Sequence, residues 1–219
     1  MKSTKNPSLN YAQNAILQKI IATKLVGFIQ TSNTSSILDI GSGTGFIAQK
    51  LIEKGFSSEK ILQIDSNNNS LLIAQQFSQT QYTDFNSRLN FNQKFDIITS
   101  SMSLQWAQDF NQTLANIRSL LAKNGTFIFA IPLNGSLHEI YNIIQIPHFS
   151  LPTLESLPKD IKLLERKRYR ENAFITLKNI HLCGLKLDSN RNNTLSKEVL
   201  LKCKNTFTYW DIGWFELTI

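Results

Sequence analysis

The chain has 219 residues, 42% hydrophobic and 18% charged, a globular balance that suits one α/β domain over residues 1–219 and is long enough to bury a sizeable core. No apolar run reaches the roughly 20 residues of a membrane-spanning helix, and no signal-peptide core follows the polar start Met1-Lys2-Ser3-Thr4-Lys5-Asn6, so a soluble cytoplasmic protein is expected. The net charge of +7 favours an anionic partner: nucleic acid, a membrane surface or an acidic protein.

Residues 8–30 read as a leading helix, with Leu9, Ala12, Ile16, Ile20, Ile21, Leu25 and Phe28 at helical intervals and Asn6-Pro7-Ser8 as its start. Placed before the first strand of a doubly wound sheet, such a helix packs near the ligand mouth. Tyr11 and Gln13 are therefore candidates for ligand contact, and equally for ordinary helix positions. Beyond a polar linker at Thr31–Ser35 comes Ser36-Ile37-Leu38-Asp39-Ile40-Gly41-Ser42-Gly43-Thr44-Gly45, then Phe46-Ile47-Ala48-Gln49-Lys50. This is a buried strand, a tight glycine turn and a helix start. The glycines let the backbone turn sharply and approach a ligand with no Cβ in the way, and the helix N-terminus favours an electron-rich group. A dinucleotide fingerprint needs its third glycine three positions after the second; Phe46 stands there instead, which argues against a hydride cofactor.

The helix runs to about Lys54, with Gly55 as its stop. Lys60-Ile61-Leu62-Gln63-Ile64-Asp65 is a second strand ending in an acid. An acid about 20 residues beyond a glycine loop, at the carboxyl end of the neighbouring strand, is placed to accept hydrogen bonds from two ribose hydroxyls. Ser70–Phe77 continues as helix, and Thr80–Phe85 is a short third strand holding Asp84 and Phe85. Phe95–Ser100 is the fourth strand. The ends of strands one and four flank the topological switch point where ligands sit, so Ser100 and the segment Ser101-Met102-Ser103-Leu104-Gln105-Trp106 are active-site material. That segment lacks the Pro-Pro-aromatic signature of enzymes that methylate nucleobase amines, which counts against a nucleic-acid substrate.

Asn111–Ala122 reads as a helix ended by Lys123-Asn124-Gly125, and Thr126–Ile131 as a β-branched and aromatic fifth strand. Gly135–Ile140 begins a further helix. Proline-rich residues near 146–160 lack periodicity and read as a lid or excursion. A sixth strand over Leu163–Tyr169, a helix over Ala173–Leu182 ending at Gly184, a helix over Ser196–Lys202 and an antiparallel last strand over Phe207–Leu217 complete the chain. Cys183 and Cys203 are too few and too far apart for a zinc site, and His138, His148 and His181 show no ligand spacing, so no metal is expected. Lys159, Lys162, Arg166, Lys167, Arg168 and Arg170 make a concentrated basic stretch.

The Asp-x-Gly-x-Gly-x-Gly loop after a strand, with Asp65 at the end of the next, resembles the class I S-adenosylmethionine-dependent methyltransferases. Tyr11-Ala12-Gln13, Leu104-Gln105-Trp106, Gly135-Ser136-Leu137 with Glu139, Leu177-Lys178 and Thr194-Leu195-Ser196 extend the likeness to the branch that methylates malonyl-acyl carrier protein in biotin synthesis. The loop departs from that branch at Ser42 and Thr44, and so do Ser101, Thr83 and Asn86. The resemblance implies a Rossmann-like, mostly parallel seven-stranded sheet with an antiparallel last strand and helices on both faces. It implies S-adenosylmethionine as cofactor, held by Tyr11, Asp39, Gly41, Ser42, Gly43, Gly45, Asp65, Ser66, Asp84, Phe85 and Ser100. It also implies methylation of the free carboxylate of malonyl-acyl carrier protein or malonyl-CoA.

A carboxylate is ionised at neutral pH and needs no general base, so the lack of a catalytic His or Cys constellation fits. Tyr11, Gln105, Trp106, His148 and Lys178 are candidates for positioning the substrate, with no choice among them. An acidic carrier protein gives the stretch Lys159–Arg170 a reading as a docking face. The runner-up is a class I methyltransferase acting at carbon or oxygen of another small molecule.

Overall fold

The computed structural model describes residues 8, 13, 15–30, 35–145, 150–182 and 196–219, with backbone alone at 181 and 182. Tyr11, His148, Gly184, Thr194 and Leu195 lie outside these residues.

Seven strands form one sheet: β1 (Ile37–Ile40), β2 (Ile61–Asp65), β3 (Gln79–Tyr82), β4 (Phe95–Ser101), β5 (Leu121–Pro132), β6 (Lys162–Asn172) and β7 (Phe207–Thr218). Their order is β3-β2-β1-β4-β5-β7-β6. The intervening helices are α1 (Ile16–Gly27), α2 (Phe46–Glu53), α3 (Asn68–Ala74), α4 (Phe110–Leu120), α5 (His138–Ile144), α6 (Ala173–Leu182) and α7 (Lys197–Lys204).

All four residues of β1 are buried, as a central parallel strand covered on both faces requires. It pairs in parallel with β2, Ile37 beside Ile61, and with β4, Ile37 beside Ile97. The chain thus builds outward from β1 in both directions, which creates the switch point at the carboxyl ends of β1 and β4. The far side of the sheet is antiparallel. The Ile219 N–H donates to the Gly125 carbonyl and the Leu133 N–H to the Asp211 carbonyl, so each step forward on β5 is a step back on β7.

The chain packs as two compact units: Ile16–Ile131 with Pro158–Glu165 and Trp214–Ile219, and Met1–Ala15 with Pro132–Leu157 and Arg166–Gly213. The core of the first is aliphatic along β1, β2 and β4, where Ile37, Leu38, Ile40, Ile64 and Ile98 are fully buried. It is aromatic along β5: Phe127 stacks on Phe129 at 4.7 Å and Phe129 on Phe215 at 5.2 Å. Each such side chain contributes on the order of 1.5–3 kcal/mol of burial. Trp214 is buried with its indole N–H donating to the Ile21 carbonyl, so its polar atom is satisfied. The second unit has its own cluster of Leu137, Ile140, Tyr141, Ile144, Ala173, Leu177, Ile180 and Cys203.

Five boundaries differ from the sequence reading. Ala15 is buried and non-helical and interrupts the helix expected over 8–30. That helix also stops at Gly27, where the bonds tighten to Phe28 N–H on Leu25 and Ile29 N–H on Val26, as glycine's low helix propensity allows. The third strand ends at Tyr82 because Asp84 caps a turn, its Oδ1 accepting the Asn86 N–H at 2.9 Å. The fifth strand begins directly after α4, at Leu121. Lys123-Asn124-Gly125 is a bulge inside it, Asn124 taking a left-handed φ of 62° while the pairing with β4 slips between Phe95 and Ile97. The sixth strand extends three residues past Tyr169, to Asn172. No described helix is long and apolar enough to cross a membrane.

Candidate active site

The loop Gly41–Gly45 folds over the end of β2. Gly41 and Ser42 both donate their N–H to the Ile64 carbonyl, at 2.8 and 3.0 Å, and Gly45 closes a turn onto the Ser42 carbonyl. This path needs left-handed backbone at Gly41, Gly43 and Gly45, with φ of 66°, 55° and 88°. At two positions space demands glycine as well. A Cβ on Gly41 would lie 2.4 Å from Ser103 Cβ, and one on Gly45 would lie 2.8 Å from both Gln63 Oε1 and Phe77 Cδ2. Gly45 leads into α2 with no side-chain cap, so the first amides of that helix are not occupied by a capping side chain.

Two carboxyl groups meet at this loop. Asp65 at the end of β2 accepts the Gly43 N–H on Oδ2 and the Asn67 N–H on Oδ1, each at 2.8 Å. Burial raises its pKa, opposed by the amides of Gly43, Asn67 and Ser66. Each oxygen keeps a further lone pair, so the carboxylate that holds the loop can also accept from a vicinal diol. Asp39 on β1 is wholly buried, with Oδ1 accepting the Thr99 hydroxyl at 2.9 Å and Oδ2 without a partner. Burial pushes its pKa up to about 8, the Thr99 hydroxyl pulls it back, and the charge of Asp65 adds to the rise.

The end of β4 is tied to the loop by a hydroxyl relay. Ser103 donates to the Ile40 carbonyl at 3.1 Å and so accepts from Ser100, whose oxygen is 2.7 Å away. Gln105 folds back to donate to the Met102 carbonyl, leaving a buried Oε1 unpartnered. Asn86 joins the Asp84 turn to this segment, donating to the Trp106 carbonyl and accepting the Gln108 N–H. Phe85 Cε1 comes within 3.9 Å of where a Gly41 Cβ would stand. The structure thus brings together Asp39, Gly41, Ser42, Gly43, Gly45, Asp65, Ser66, Phe85 and Ser100, with Asp84, Gln105 and Trp106 alongside.

Trp106 is 41% exposed and so belongs to the surface of this segment, outside the core. Lys178 is exposed on α6 in the second unit, as is Arg166–Arg170 on β6, whereas Lys159 and Lys162 belong to the first unit. Asn86 and Thr99 are site residues to which the sequence reading gave no role, and Ser103 lies in the segment it took as active-site material but was given no role of its own. The Ser-x-x-Ser spacing of Ser100 and Ser103 was the available signal for that role.

The donor set fits the cofactor implied by the resemblance. Asp39 Oδ2, Ser42 Oγ, Thr44 Oγ1 and Gln105 Oε1 are buried without partners, which a protein tolerates where a polar ligand completes the site. Beside them lie a glycine cradle and a carboxylate matched to a ribose. Among the described residues no group of three His, Cys, Asp or Glu could hold a metal ion.

The family described as methyltransferase domain matches residues 12–188. The chain is 28% identical over 173 residues to the malonyl-[acyl-carrier protein] O-methyltransferase of Buchnera aphidicola subsp. Baizongia pistaciae, a match covering 76% of this chain and 69% of that one. It is 30% identical over 134 residues to the protein of the same name from Hamiltonella defensa, covering 60% of this chain and about half, 51%, of that relative's length. In fold it is similar to the YcgJ protein of Bacillus subtilis, with a TM-score of 0.62 at 15% identity, covering 90% of this chain and 97% of that one. The chain belongs to this methyltransferase family, the class whose methyl donor is S-adenosylmethionine.

Proposed function

We propose that the protein transfers a methyl group from S-adenosylmethionine to the free carboxylate of a malonyl group carried on an acyl carrier protein or CoA, giving the malonyl methyl ester that opens biotin synthesis. The observation that carries this reading is the character of the side chains joined to the glycine loop: among the described residues they are hydroxyls, amides and two carboxyl groups, with no His, Cys or Lys. Such a site suits an acceptor that reacts without losing a proton, and a carboxylate with a pKa near 4 is such an acceptor at pH 7. The names of the relatives point to the same substrate.

When bound, the cofactor would supply an electrophilic methyl on a sulfonium, with neutral S-adenosylhomocysteine as the leaving group when the carboxylate oxygen takes that methyl. Asp65 would accept the ribose hydroxyls on the lone pairs that Gly43 and Asn67 leave free. Gly41, Ser42, Gly43 and Gly45 would form the cradle, Phe85 would meet the base and Asp84 its amine, with Ser66, Ser100 and Asp39 completing the site. Tyr11, Gln105, Trp106, His148 and Lys178 remain the candidates for holding the malonyl carboxylate. Alignment of acceptor and donor supplies the acceleration.

Incubation with methyl-labelled S-adenosylmethionine and malonyl-carrier protein, malonyl-CoA or a metabolite extract tests the reading. A base-labile methyl ester on either malonyl thioester supports it. Label appearing only in the extract assigns the enzyme to another small molecule. Growth of a biotin auxotroph lacking this step with the wild type, and not with Asp65→Ala, ties the activity to the site.

A further inference from the structure

The antiparallel pairing of β6 with β7 arranges three arginines in a row. Arg166, Arg168 and Arg170 alternate along β6, so they share one face, and they stand opposite Asp211, Tyr209 and Phe207, each step forward matched by a step back. All three are exposed, and each is fixed. Arg166 forks onto Asp211, Nε to Oδ1 at 2.9 Å and Nη2 to Oδ2 at 2.6 Å. The Arg168 guanidinium lies 4.2 Å from the centroid of the Tyr209 ring and that of Arg170 3.7 Å from Phe207. Lys204 extends the row: its carbonyl accepts from Asn172 at the end of β6, and its ammonium lies over Phe174 at 5.3 Å.

We propose that Arg168 and Arg170 are the landing face for an acidic helix of a carrier protein. The proposal rests on the substrate reading above and adds where that partner binds. Asp211 offsets the charge of Arg166, and among the described residues no ion pair engages Arg168 or Arg170, so the unbalanced charge of the row is there. Stacking occupies the flat face of a guanidinium and leaves its in-plane N–H donors to fork a carboxylate. Because the rings already hold both side chains, little rotamer entropy is left to lose on binding. Positions two apart on a strand are about 6.6 Å apart, close to the roughly 6 Å rise between residues four apart on a helix, so one acidic helical face can meet both.

Single-stranded RNA fits this face less well. It needs open aromatic faces for its bases, and here the rings are faced by guanidinium groups. An edge strand does need charge to stay unpaired, but that purpose requires no stacking. Lys167, on the opposite face of the same strand and over Tyr169, is the internal control.

The test compares Arg168→Gln/Arg170→Gln with Lys167→Gln, reading KM and kcat for malonyl-carrier protein and for malonyl-CoA, together with fluorescence anisotropy of labelled carrier protein. The expected result is a tenfold or greater rise in KM and Kd for the carrier protein in the double variant. That effect fades as salt is raised, with kcat and the malonyl-CoA kinetics held within twofold. Equal effects from Lys167→Gln, or equal losses on both substrates, overturn the proposal, as does an RNA oligonucleotide that displaces the carrier protein. If neither malonyl thioester is methylated, the substrate reading falls. The anisotropy then still decides: carrier protein bound by the wild type and released by the double variant upholds the landing face, and no binding by the wild type ends it.

Discussion

Asp65 holds the glycine loop at its middle residue, with Oδ2 2.8 Å from the Gly43 nitrogen. The acid that ends β2 is therefore both part of the loop's support and the group placed for the ribose. Asp65→Ala removes two charge-assisted bonds to backbone amides along with the sugar's acceptor. The two ribose hydroxyl bonds to the carboxylate, at about 1.5 kcal/mol or more each, put the fall in affinity for S-adenosylhomocysteine on the order of a hundredfold. Asp65→Asn keeps one carbonyl oxygen and should fall in between. Calorimetry with S-adenosylhomocysteine reads both, and an Asp65→Ala affinity within twofold of wild type would remove the ribose role.

Gly45 and Gly55 separate backbone strain from crowding. Both have left-handed φ, 88° and 101°, but an added Cβ meets Gln63 and Phe77 at 2.8 Å at Gly45 and nothing within 4 Å at Gly55. Gly55→Ala should lose about 1 kcal/mol, the conformational cost alone. Gly45→Ala adds overpacking and should lose about 2–4 kcal/mol. Urea unfolding of the two variants checks the order, and equal losses would mean that the loop yields to the new methyl.

What the chain disclosed before its structure follows from how local each cause is. The β1 run, the alternate glycines of the loop and the acid at Asp65 are short-range signals. They specify strand, turn and strand end within a few residues, and with the rules for parallel sheets they place the ends of strands one and four at the switch point. Ser103 and Asn86 were not legible in the same way. Ser103 acts by filling the space that the missing Cβ of Gly41 leaves, across 62 positions of chain, and Asn86 by bridging to Trp106 and Gln108. Neither relation has a sequence period. The Asn124-Gly125 pair was misread for a related reason: a left-handed Asn before Gly ends a helix or makes a bulge, and only the slip against Phe95 on β4 decides between them.

Ser103→Ala tests the relay that ties the end of β4 to the loop. It strips the Ile40 carbonyl of its donor and leaves the buried Ser100 hydroxyl without its acceptor. Unfolding free energy should fall by about 1–3 kcal/mol, the cost of orphaning buried polar groups. KM for S-adenosylmethionine should rise several-fold, because the loop loses its brace. Loss of stability with KM unchanged would make the relay a support of β4 alone.

Asp39 makes stability depend on pH in a direction opposite to most carboxylates. Its carboxyl is pushed from 3.8 to about 8 by burial, so between those values the folded protein keeps a proton that the unfolded chain has released. Where the native state binds more protons, raising the pH lowers stability, by up to about 1.4 kcal/mol per pH unit. This contribution is lost from about pH 4 to about pH 8 and is flat above. Asp39→Asn has no proton to lose and keeps an oxygen for the Thr99 hydroxyl. Its melting temperature relative to wild type should rise across that window and level off beyond it, measured at pH 5, 7 and 9 without cofactor. A gap that stays constant over the three would show that Asp39 is ionised in the folded protein, and its unpartnered oxygen would then need a cation or donor beside it.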